Sequence, residues 1–227
     1  MTAAEWRVSV GDASTRAVYE SATNGGDGAL FICAHGAGGN IADRATLAAA
    51  NEMRRRGLGV VRFNFLYKER GSGRPDPMPK LMETFVAVVE HARRELGPRR
   101  PLVIGGRSMG GRAASMLAAD GFAADGLLLL AYPLHPPGRP EQLRDAHLPR
   151  ITMPVLCFNG TRDVFCTPAL MERVLKTVTT PWEMHWLEGA DHSFHVLKSS
   201  GRTDAEVLRE VGEASERWGQ TLATPRD

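Results

Sequence analysis

Five short, largely apolar runs recur along the chain, and most are separated by segments with helical spacing. They are Ala29–Ala34, Gly59–Phe63, Pro101–Ile104, Leu127–Ala131 and Val155–Phe158. Runs this short with no polar alternation suit strands buried on both faces of a sheet, and parallel sheets are covered in that way. Between or after them, Asp43–Arg56, Lys80–Leu96, Met109–Ala119, Pro168–Val178 and Thr203–Leu222 read as helices. In the second of these, Leu81, Phe85, Val88, Val89 and Ala92 form one stripe, and Gly97-Pro98 ends it. Alternation of this kind predicts an α/β fold: a mostly parallel sheet with helices on both faces. Trp182–Leu187 is more mixed, as an outer strand would be. Trp6–Val10 and Arg16–Glu20 alternate across a turn beginning at Gly11-Asp12, which predicts an antiparallel pair.

Composition bounds the class. The chain has 227 residues, 43% hydrophobic, with 28 basic and 26 acidic side chains and a formal charge of +2. That is enough apolar material for one core and too little charge for disorder. No composition break or repeat divides the chain, so residues 1–227 are read as one domain. A near-neutral balance argues against a nucleic-acid partner. No apolar run reaches membrane-spanning length, and Met1–Val10 lacks the apolar core of a signal peptide. Cys33, Cys157 and Cys166 form neither a C-x-x-C pair nor an even set, so a cytoplasmic location is expected.

The residues that carry chemistry lie at Gly106-Arg107-Ser108-Met109-Gly110-Gly111-Arg112. A buried strand runs into this G-x-S-x-G pattern and an Ala-rich helix runs out of it. A nucleophile elbow needs that context, because a strained turn lifts the seryl oxygen above the sheet. The bland alternative is a Gly-rich turn with a capping serine. A serine hydroxyl needs a base, and the base an orienting acid. Asp163 follows one predicted strand and His192 follows the next, which gives the order Ser108, Asp163, His192. His195 competes as base but stands deeper in its segment. Asp191 is adjacent to His192 and more suited to shaping the loop. His91 and His185 fall within predicted elements, and Cys166 lacks an elbow.

Oxyanion donors are also needed. The amide after the nucleophile, Met109, is one. The loop His35-Gly36-Ala37-Gly38-Gly39-Asn40 offers a second, with Ala37 preferred and Gly38 the alternative, while His35 fixes the loop. Rival readings fail on detail. The glycine loop lacks the third glycine and the following acid of a dinucleotide fingerprint, and no P-loop lysine occurs. Asp191, His192 and His195 form no metal motif. No cofactor or metal is expected.

These residues resemble the α/β-hydrolase superfamily across nearly the whole chain. Arg62-Phe63-Asn64-Phe65-Leu66-Tyr67, Arg74-Pro75-Asp76-Pro77, Tyr132-Pro133-Leu134-His135-Pro136-Pro137-Gly138, Leu148-Pro149-Arg150-Ile151 and Gly160-Thr161-Arg162-Asp163 narrow the match. They are similar to the small predicted hydrolases that include testis-expressed protein 30 and the hydrolase-like domain of NSL complex subunit 3. The resemblance implies a serine-hydrolase triad at Ser108, Asp163 and His192. The triad residues predict cleavage of an ester or related acyl bond, and an open, modest pocket makes a small carboxylesterase the first expectation. A dienelactone-hydrolase-like enzyme, a peptidase and a non-catalytic interaction module are the alternatives. Tyr132–Met153 leaves room for a Pro-rich loop but hardly for a cap domain. Gly38, Arg107, Tyr132 and His135 are candidate substrate contacts, with loop-packing roles as the competing reading. The expected partner is a small acyl substrate, bound by a monomer or homodimer.

Overall fold

The computed structural model describes residues 3–25, 28–98 and 100–222. Eight strands form one sheet: β1 (Ala3–Val10), β2 (Ala13–Glu20), β3 (Leu30–Ala34), β4 (Gly59–Phe63), β5 (Leu102–Arg107), β6 (Gly126–Leu130), β7 (Val155–Gly160) and β8 (Trp182–Leu187). Their spatial order is β1-β2-β4-β3-β5-β6-β7-β8. β2 pairs antiparallel with β1 and with β4, and every pairing from β4 through β8 is parallel.

Among the described residues six helices accompany the sheet: α1 (Arg44–Arg55), α2 (Leu66–Glu69), α3 (Met78–Leu96), α4 (Met109–Ala119), α5 (Pro168–Leu175) and α6 (Asp204–Leu222). The strands supply both faces by alternation. Leu30, Ile32 and Ala34 of β3 pack with residues of α3, α4 and α5 on one side. Ala29, Phe31 and Cys33 pack with residues of α1 and α6 on the other. Period-two alternation between two apolar layers explains why these strands show no polar face. The stripe expected on α3, Leu81 to Ala92, is buried throughout.

Several bounds differ from the sequence reading for physical reasons. β5 continues through Gly105 and Gly106, where β-propensity is low but a side chain could not fit. A Cβ at Gly105 would lie 1.8 Å from the Leu128 carbonyl oxygen. α3 starts two residues early because Pro79 is tolerated in a first turn. α5 stops at Leu175 rather than Val178. The four-residue α2 was too short for periodicity to show.

The parallel strands end together. Ala34 pairs with Gly106, Arg107 with Leu130, Leu130 with Phe158, and Gly160 with Leu187. β3 lies between β4 and β5, so the chain winds outward in opposite directions from this point. Open α/β sheets form crevices at such switch points, above the carboxyl ends of the strands.

Candidate active site

The turn after β5 places Ser108 at the N-terminus of α4 with φ of 50° and ψ of −114°. A non-glycine residue with positive φ is strained, and surrounding structure must hold it there. Two contacts do so: Ser108 N–H donates to Leu130 O at 2.9 Å, and Arg112 N–H donates to Ser108 O at 3.0 Å. The turn also lies tight against β3. A Cβ at Gly106 or Gly110 would stand 2.3 Å or 2.6 Å from Ala34 O, which accounts for both glycines of the motif.

His192 reaches back across the sheet from the loop after β8. Its Nε2 is 3.0 Å from Ser108 Oγ, and its Nδ1 is 2.8 Å from Asp163 Oδ2. The Asp163 side chain is fully buried, whereas that of His192 is 19% exposed. A buried carboxylate needs several donors. Asn159 Nδ2 donates to Oδ2 at 3.0 Å, and Phe165 N–H donates to Oδ1 at 2.8 Å. Asn159 also links the acid to the end of β6, since its amide group donates to Tyr132 O and accepts from Tyr132 N–H. The Phe165 ring centroid lies 4.5 Å from that of the His192 ring, the two planes tilted by 59°.

Arg107, Asn159, Phe165 and Tyr67 acquire roles that local sequence did not signal. Arg107 Nη2 donates to His192 O at 2.9 Å and so clamps the histidine loop from below. Tyr67, on α2, donates its hydroxyl to Ala37 O at 2.7 Å. Burial, then the nearby Asp76 charge, pushes that phenol up to about 12. Asn64 accepts from Ile41 N–H at 2.6 Å and donates to Glu69 at 2.7 Å, joining the glycine loop to α2. The only sequence trace of these links is the Asn64-Phe65-Leu66-Tyr67 cluster.

The remaining candidates fall into place individually. His35 accepts from Phe65 N–H at 3.2 Å through Nε2, so Nδ1 carries the proton and donates to Gly36 O at 2.7 Å. Burial lowers its proton affinity, in keeping with a neutral loop-fixing imidazole. Ala37 and Gly38 are exposed at the crevice. Among the described residues, the amides of Ala37 and Met109 donate to no backbone or side-chain acceptor. Tyr132 lies fully buried inside the loop instead of at a substrate surface, with its hydroxyl donated to Arg144 O at 2.7 Å. His135 is likewise buried, its Nδ1 2.9 Å from Pro136 O. The loop from 131 to 154 contains one 3₁₀ turn, Leu148–Arg150, and no cap domain.

Asp191 caps Ser193 and His195 amides, and His195 turns away to Asp204 at 2.9 Å. The three residues that could be drawn as a metal cluster therefore face different partners. His185 pairs with Glu210 at 2.8 Å, and His91 packs edge-on against Trp6. All three cysteines are buried and free. No described helix is long and apolar enough to cross a membrane.

The family model for the alpha/beta hydrolase domain matches residues 27–220. The chain belongs to the alpha/beta hydrolase family. Solved structures with the same fold include an alpha-beta serine hydrolase homologue from Coxiella burnetii. It is 20% identical, with a TM-score of 0.77 over 94% of this chain and 98% of that one. Another is XC6422 from Xanthomonas campestris, described as an a/b serine hydrolase without lid. It is 22% identical, with a TM-score of 0.76 over 99% and 98% of the two chains. A third is a dienelactone hydrolase from Anabaena variabilis, 19% identical, with a TM-score of 0.73 over 97% of each chain. These likenesses establish the fold of this alpha/beta hydrolase.

Proposed function

We propose that this chain is a serine hydrolase acting on an ester or related acyl bond, most simply a small carboxylesterase. The observation that carries the proposal is the unbroken hydrogen-bond path from Ser108 Oγ through His192 to Asp163, with Ser108 held in a strained turn.

In the first half-reaction His192 Nε2 removes the Ser108 proton as Oγ attacks the acyl carbon. The carbonyl electron pair moves onto oxygen, to which the Met109 and Ala37 amides, with Gly38 as the alternative to Ala37, would donate hydrogen bonds at the positive end of α4. Collapse expels the leaving group, which takes the proton from His192 and leaves an acyl-serine. Water, deprotonated by the same imidazole, releases the acid and restores Ser108. Asp163 holds the Nδ1–H tautomer and stabilises the imidazolium. Arg107 and Asn159 are positioning residues: one holds the His192 backbone, the other the acid. Tyr132 and His135 are assigned to holding the loop over α4.

The dienelactone hydrolase among the structural neighbours supports a second reading, hydrolysis of a lactone by the same residues. The motifs shared with the testis-expressed protein 30 and NSL complex subunit 3 group suggest the narrower relationship, in which a non-catalytic role is the competing outcome. Cytoplasmic location and a monomer or homodimer remain part of the proposal.

A fluorophosphonate probe combined with a p-nitrophenyl ester chain-length series tests it. Wild type should be labelled and turn over, and Ser108→Ala should do neither. Equal labelling of both proteins, or no wild-type turnover and no labelling, would overturn it.

A further inference from the structure

β8 is an edge strand: among the described residues it pairs with β7 on one side and with no strand on the other. The bonds at its two ends fix which backbone groups face outward. Val155 N–H donates to Pro181 O at 2.9 Å, and Thr161 N–H donates to Leu187 O at 3.1 Å. The parallel register between them is unbroken, from Val155 opposite Trp182 to Gly160 opposite Leu187. Period two then turns the backbone groups of Glu183, His185 and Leu187 toward β7. Those of Trp182, Met184 and Trp186 point away from the sheet. Among the described residues, no loop or turn backbone group bonds to them. Such an edge is a template for a further strand, and proteins commonly blunt it with proline, lysine or a bulge. β8 carries none of these between Trp182 and Leu187, and Pro181 stands before it with its carbonyl already used by β7.

The side chains of this edge are symmetric about Met184. Trp182, Met184 and Trp186 share one face, each half-buried against the layer that includes Met171 and Val174 of α5. Glu183 and His185 share the other. Glu183 is exposed, and His185 Nε2 lies 2.8 Å from Glu210 Oε1, whose second oxygen is held by Arg202. The segment Trp182-Glu183-Met184-His185-Trp186 therefore reads alike in both directions, with acid and base exchanged. An isologous contact needs that pattern, because under a twofold axis residue i meets j and j meets i. Place two copies antiparallel with the axis through Met184. Met184 then meets Met184, Trp182 meets Trp186, and Glu183 meets His185. The first two are hydrogen-bonded pairs, so every outward amide and carbonyl of Trp182, Met184 and Trp186 finds a partner. The indoles stand beside each other on one face, and on the other each carboxylate faces an imidazole. Moving the axis to Glu183 or His185 opposes like side chains and carries one tryptophan past the end of the other strand. One register is selected.

We propose that two copies of this chain pair antiparallel along β8 with the twofold axis through Met184, so that one sheet runs through a homodimer. The partner is a second copy because the edge complements itself in hydrogen bonding, apolar pairing and charge at a single register. This assembly stands whether or not Ser108 reacts, so probe labelling leaves it untouched.

Sedimentation equilibrium of the full chain at micromolar concentration should show a dimer. Met184→Pro removes an outward amide and no bond to β7, as proline on an edge strand can. It should weaken the dimer by about tenfold or more. Glu183→Lys, at an exposed position, should weaken it as well, and keeps the test open should M184P fail to fold. Cross-linking checks the register. Cα atoms of a hydrogen-bonded antiparallel pair lie about 5.5 Å apart, within the range a disulfide spans. Met184→Cys should therefore oxidise to a covalent dimer, whereas Glu183→Cys, which faces His185 of the second copy, should not. The native cysteines are buried and leave the readout clean. A monomeric wild type overturns the inference, whether or not another protein binds this edge. So does a dimer of unchanged affinity in both M184P and E183K, or one that E183C cross-links and M184C does not.

Discussion

Asp163 Oδ2 receives two hydrogen bonds, from His192 Nδ1 at 2.8 Å and from Asn159 Nδ2 at 3.0 Å. The carboxylate is thereby fixed from beneath by β7 while it faces the imidazole. Asp163→Asn should fold but leave the imidazole in the wrong tautomer. A kcat loss of about 10³–10⁴-fold is expected, a magnitude borrowed from well-studied serine proteases. Asn159→Ala should act more gently on kcat, about tenfold, yet cost about 1–3 kcal/mol of stability by leaving buried partners unpaired. Steady-state kinetics and urea unfolding of the two variants separate the effects.

The elbow predicts opposite outcomes for two glycines. Gly110→Ala would drive a Cβ to 2.6 Å from Ala34 O, which belongs to a central strand and cannot yield. We expect destabilisation above about 3 kcal/mol or failure to fold. Gly38→Ala meets nothing within 4 Å and should change stability by less than about 0.5 kcal/mol. Equal melting temperatures for the two variants would contradict this account of the turn.

Stability should fall on acidification in a window set partly by His147. Burial holds it down to about 4 in the folded protein, against an ordinary value of 6.5. Between those values the unfolded chain binds the proton more readily, so stability is complete above 6.5 and declines as pH drops toward 4. His35 is lowered in the same sense. Urea midpoints at pH 7.5 and pH 5 should differ more for wild type than for His147→Gln, which keeps a polar group near Ser115. A larger pH effect in the variant would disprove the assignment.

Thiol chemistry should be silent in the native protein. Cys33 is pushed up to about 12 by burial, and burial raises Cys157 and Cys166 as well. Thiolate is the reactive form, so none should react readily with Ellman's reagent at pH 8. All three should react in denaturant. Iodoacetamide should therefore leave esterase activity intact, whereas a fluorophosphonate should abolish it.

Local pattern determined a great deal about this protein. Short apolar runs and helical stripes specify buried strands and amphipathic helices, because burial imposes periods of 2 and 3.6 on one-dimensional sequence. The elbow glycines around Ser108 and the exits carrying Asp163 and His192 could be read for the same reason: each depends on the element beside it. Tertiary structure alone decided what those residues meet. Asn159 on Asp163, Arg107 on the His192 carbonyl and Tyr67 on Ala37 each join segments brought together by sheet order, helix packing or loop placement. Tyr132 shows the limit most plainly. Its place after β6 made it a candidate substrate contact, with loop packing the competing reading, and the fold buries it with its hydroxyl donated to Arg144 O. A strand exit is encoded by nearby residues; the partner waiting there is set by elements distant in sequence.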